Sequence, residues 1–108
     1  MDPKLKERLE EWEESVNLVA DIESDYFALD AEEKTVYSKL FLEANGKTIA
    51  EREALAYAHQ VWSGYKSHHA KTKANYNQMR RLLGLKQKAY EAEYITYKIE
   101  NDVIKRQL

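Results

Sequence analysis

The side chains best placed to do chemistry are Lys66, Lys73, Arg80, Arg81 and Lys88. At 100° per residue they fall within roughly a 100° arc of one helix face, forming a basic ridge. A row of cations can track a phosphate backbone, and Trp62, Tyr65 or Tyr76 could stack on bases wherever a ring stays exposed. The ridge lies in an acid-free stretch: residues 54–90 contain no Asp or Glu but seven Lys and Arg, with His59, His68 and His69. That stretch carries about +7 at neutral pH, whereas residues 1–53, with fifteen acidic and seven basic side chains, carry about −8. The remaining segment returns to about −1. A second reading of the ridge is therefore open. It would pair with the acidic N-terminal helix, within the chain or across a dimer, and so set register and orientation. Asn75, Asn77 and Gln78 stand among the cations and could donate to phosphate oxygens or base edges, or simply form a solvated polar face.

Other chemistries find little support. His68 and His69 are adjacent, so on a helix they point about 100° apart, and neither has a His or carboxylate at i+4 to complete a metal site. The three glycines are isolated and none opens a helix after a strand, which argues against a phosphate-binding loop or a nucleophile elbow. Carboxylates crowd the first turns at Glu7, Glu10, Glu11, Glu13 and Glu14, but on an exposed face that would neither shift their acidity nor exclude water. With no cysteine in the chain, disulfides and thiolate chemistry are excluded. The expectation is a non-enzymatic protein without metal or cofactor.

The elements that must position the ridge are helices. One third of the residues are charged, and Gly and Pro are scarce, a mixture that favours helix. Asp2-Pro3 is a helix start, and Leu5, Leu9, Trp12, Val16 and Val19 follow at heptad-like spacing, continued by Ile22, Tyr26 and Leu29. Asp30 with Glu33 resembles a capping box, predicting a break and a second helix that stops at Asn45-Gly46. Thr48 with Glu51 repeats the box and opens a helix that nothing in the sequence forces to stop. The chain is thus expected to be a single all-α domain, an elongated helical hairpin or coiled-coil-like protein with helices over about 3–29, 31–45 and 49–106. Gly64 and Gly84 would serve close helix packing or a slight bend, the alternative being a break at Gly84.

On the long helix, Tyr65, Tyr76, Met79, Leu83, Tyr90, Tyr94 and Tyr97 share a narrow arc with Ala58, Val61 and Thr72. Helix one covers only about half the length of the long helix, so a second chain is expected to cover the rest. A homo-oligomer, with a dimer favoured, is the expectation, together with a protein partner of unknown identity and nucleic acid as a further partner along the ridge. The N-terminus runs straight into charged residues, and no apolar stretch is long enough to span a bilayer, so a cytoplasmic protein without membrane contact is expected.

The stretch Ser38-Lys39-Leu40-Phe41-Leu42-Glu43-Ala44-Asn45-Gly46-Lys47-Thr48-Ile49-Ala50-Glu51-Arg52-Glu53-Ala54 resembles small helical proteins of tailed bacteriophages and prophages. In that group a turn containing Leu, Glu and Ala ends in Gly, and a Thr-hydrophobic-x-Glu-Arg segment begins a long Ala-rich helix. The resemblance implies a viral or prophage origin, the host cytoplasm, and a setting among replication and recombination functions. It supplies no catalytic residues, and here the long helix is Tyr-rich rather than Ala-rich.

Overall fold

The computed structural model describes residues 2–107. Among these residues the chain is all-α, with three helices: α1 (Pro3–Glu43), α2 (Ile49–Ala58) and α3 (Gln60–Gln107). Pro3 opens α1 because its missing N–H would be unsatisfied there in any case. Asp2 caps the turn, its Oδ1 accepting from the N–H groups of Lys4 at 2.9 Å and Leu5 at 3.1 Å.

α1 does not break at Asp30, and the expected boundary between helices ending at 29 and starting at 31 is corrected. The two capping side chains are used elsewhere: Asp30 faces His69 at 3.3 Å and Glu33 accepts from Lys66 at 2.6 Å. A capping box permits a helix start without enforcing one, and no Gly or Pro separates Leu29 from Glu33. Continuing the helix keeps Tyr26, Leu29, Glu33 and Tyr37 on the face that meets α3.

The expected helix over 49–106 is also corrected, because it is divided at His59. That residue is extended, at φ −68 and ψ 139, and its ring Nδ1 accepts from the Val61 N–H at 3.0 Å. An imidazole here does the work of an Asn or Asp cap. The division brings Tyr57 and Trp62 together against Tyr37, with ring centroids 5.0 to 5.9 Å apart. On an unbroken helix, residues five apart would point about 140° from each other. The start of α2 follows its box: Thr48 accepts from the Glu51 N–H, and Glu51 reaches back to the Lys47 N–H at 2.7 Å.

Two compact units are formed, Met1–Asp21 with Asn77–Leu108, and Ile22–Tyr76. In the first, α1 and α3 run antiparallel: Lys4 meets Glu93, Glu11 meets Lys86, and Trp12 packs on Tyr90 at 5.3 Å. Leu5 and Val19 are its buried apolar residues. In the second, Tyr26 stacks on Tyr76 at 5.4 Å, Leu29 meets Tyr65, and Tyr37 meets Trp62, again antiparallel. Leu40, Ala56 and Tyr76 are buried there.

The glycines divide by role. At Gly46 an added Cβ would lie 2.8 Å from the Arg52 backbone nitrogen, and the Gly46 carbonyl accepts from Arg52 Nε, so the α1–α2 turn needs a residue without a side chain. Gly64 and Gly84 lie inside the unbroken α3, and a Cβ at either meets nothing within 4 Å. Neither breaks the helix, and neither is there to allow close packing. Gly64→Ala and Gly84→Ala should each therefore raise stability by about 0.5–1 kcal/mol, while Gly46→Ala lowers it, as urea midpoints would register.

Candidate nucleic-acid interface

α3 carries all five cations of the ridge, and each is solvent-exposed. Lys66 and Lys73 belong to the second unit and Arg80, Arg81 and Lys88 to the first. Their surroundings sort them further.

Lys66 is engaged inside its unit. Its Nζ donates to Glu33 Oε1 at 2.6 Å and sits 5.3 Å from the Trp62 ring centroid, a salt bridge combined with a cation–π contact. That hydrogen bond holds the Glu33 carboxyl below the ordinary carboxylate range and raises the Lys66 ammonium above its usual value. A neighbouring case is His69, whose Nε2 lies 3.3 Å from Asp30 while its ring stacks between Tyr26 and Tyr65. In the first unit the analogous pair is Lys86 with Glu11 at 3.4 Å. Glu11 also accepts from Arg8 at 3.2 Å, and its carboxyl is lowered chiefly by that Arg8 bond. Pairing between the acidic helix and the basic stretch is thus real, but selective.

Among the described residues, Lys73, Arg81 and Lys88 form no ion pair. Arg80 and Arg81 line a shallow, open depression with Asn77 in the first unit. In the first unit Lys86 borders the face turned to α1 and reaches Glu11, whereas Arg81 and Lys88 stand farther round the helix; in the second, Lys73 lies seven residues from Lys66 on the same face, so periodicity does not account for its lack of a carboxylate.

The rings expected to stack on bases are largely committed within the chain. Tyr76 is 9% exposed, stacked on Tyr26, and donates to Glu23 at 2.7 Å. Tyr65 donates to the Leu29 carbonyl, and burial raises its phenol above the usual value. Trp62 is half-buried beneath Lys66. Sequence reasoning missed Tyr57 and Phe27, which keep 57% and 55% of their surface. Phe27 breaks the apolar spacing of α1, a detectable signal. Tyr57 owes its position to the division at His59, which left none.

The residues assigned to an oligomer seam are likewise used inside the chain. Tyr65 and Tyr76 face α1 in the second unit and Tyr90 faces it in the first; Met79, Leu83 and Tyr97 are half-buried, and Tyr94 stacks on Tyr90. The α1 residues that meet them, Trp12, Tyr26 and Leu29, all lie within the expected helix of residues 3–29, so that segment itself supplies contacts assigned to a second chain.

Among the described residues, no group of three or more His, Asp or Glu is placed to hold a metal, and no helix is long and apolar enough to cross a membrane. Comparison with protein-family models, curated proteins and solved structures gives no match.

Proposed function

We propose that the protein is a non-enzymatic, oligomeric helical adaptor of phage DNA replication or recombination, acting in the host cytoplasm. It binds another protein through its helical surfaces and contacts nucleic acid through the cations of α3. The observation that carries the nucleic-acid part is that Lys73, Arg81 and Lys88 stay exposed and unpaired although α1 is rich in carboxylates. Cations kept apart from available acid are suited to an external polyanion. The phage setting rests on the resemblance of residues 38–54.

The reading is tested by fluorescence anisotropy of labelled single- and double-stranded DNA. With about four phosphate contacts, affinity for duplex should fall on the order of a hundredfold between about 50 and 200 mM salt. Absence of binding at the lower salt would overturn the nucleic-acid part. A second reading, a purely structural coiled-coil assembly or scaffolding protein, is favoured by the pairs Lys66–Glu33, Lys86–Glu11 and Lys4–Glu93, in which base meets acid within each unit. It predicts no DNA binding at either salt.

A further inference from the structure

The first unit leaves one apolar stripe without a partner. Ala92, Ile95, Ile99 and Val103 follow one another at spacings of 3, 4 and 4 and project into an arc of roughly 80°. The face turned to α1 carries Lys86, Tyr90 and Glu93 instead, so the stripe lies on the opposite side of the helix. Its three large residues are 57%, 57% and 46% exposed. From Ala92 onward, then, α3 carries an apolar face that is turned away from α1 and exposed to solvent.

We infer that a second copy of this chain docks antiparallel on the stripe, centred at Ile99. The charges beside the stripe select that occupant. Glu91 stands near its N-terminal end and Lys105 and Arg106 near its C-terminal end. An antiparallel pair centred at Ile99 sets Ile95 of one copy against Val103 of the other and brings Glu91 beside Arg106 twice, once at each end of the two-fold arrangement. A parallel pair would instead gather the basic ends and the acidic ends together, and would align the helix dipoles unfavourably. Glu91, Glu100 and Asp102 also make the surroundings unsuited to an anionic lipid surface.

This names the surface for the self-association within the adaptor reading and rests on that part alone, not on nucleic acid. So short a seam lies at the low end of specific interfaces, so association should be concentration-dependent in the micromolar range, as seen by sedimentation. Ile99→Glu places like charges face to face on the two-fold and should weaken the dimer at least tenfold, while Glu keeps the helix intact by far-UV circular dichroism. Glu91→Arg should also weaken it, and Glu91→Arg combined with Arg106→Glu should restore it. Because the chain has no cysteine, orientation can be read directly. Under oxidation Ile99→Cys should crosslink and Ala92→Cys should not. Crosslinking of both would overturn the antiparallel arrangement. A dimer indifferent to Ile99→Glu would overturn the surface while leaving self-association standing. A wild-type chain that stays monomeric at several hundred micromolar would overturn both, whatever the DNA titration gives.

Discussion

Tyr76→Ala should destabilise the protein by about 3–5 kcal/mol, the range found when a large buried aromatic side chain is truncated. Tyr76 is the largest side chain buried to this degree among the described residues: its ring lies on Tyr26 at an interplanar angle of 10° and touches Phe27, and its hydroxyl donates to Glu23. Removing the ring leaves a void between α1 and α3 in the second unit and withdraws the donor from Glu23. Total stability of domains this size is about 5–15 kcal/mol, so the variant should be close to unfolded at physiological temperature. Tyr76→Phe separates the contributions, because it keeps the ring and loses only the hydroxyl, at about 1–2 kcal/mol. Urea denaturation of the three proteins measures both differences. A cost for Tyr76→Ala no larger than that for Tyr76→Phe would show that the ring does not pack as described.

The second large effect concerns binding. Replacing Lys73, Arg81 and Lys88 with Gln should cut affinity for duplex DNA by on the order of tenfold or more at about 50 mM salt. It should also lower the slope of log K against log salt by about 3. Gln has nearly the helix propensity of Lys and Arg, so the fold should persist. The control is Lys66→Gln with Lys86→Gln, which removes two cations already paired to Glu33 and Glu11. That variant should bind DNA nearly as wild type. If both variants lose the same affinity, net charge alone governs binding and the distinction between paired and unpaired cations has no functional meaning.

Helix content and the nature of the packing faces were legible in the residues, because the 3- and 4-residue spacing of Leu5, Leu9 and Trp12, and of Tyr76, Met79 and Leu83, admits little else. Two boundaries were not. Asp30 and Glu33 have the types of a capping box, and whether such side chains turn to their own backbone or to a neighbouring helix depends on what that helix presents. Here it presents His69 and Lys66. At His59 the difficulty is reversed, since the helix divides at a residue that is not a standard breaker. The cap is a ring nitrogen, and the gain is an aromatic cluster in which Tyr57 and Trp62 meet Tyr37, twenty residues or more away in sequence. For the ridge, the arc of cations could be projected from spacing. Which cations remain unpaired could not, because that depends on the register between α1 and α3. The same register explains why tyrosines assigned to a second chain lie on α1: Trp12, Tyr26 and Leu29 stand opposite Tyr90, Tyr76 and Tyr65 in the same molecule.

The distribution of the two tryptophans has a practical consequence. Trp12 lies in the first unit against Tyr90, and Trp62 lies in the second among Tyr37, Tyr57 and Tyr65. Each unit therefore holds one emitter beside tyrosine, a single ring in the first unit and three in the second, whose excitation energy passes to the indole only while the rings stay close. A Trp12→Phe chain reports on the second unit alone and a Trp62→Phe chain on the first. The molecule thus carries an independent optical gauge of order in each of its two parts, with no dye attached.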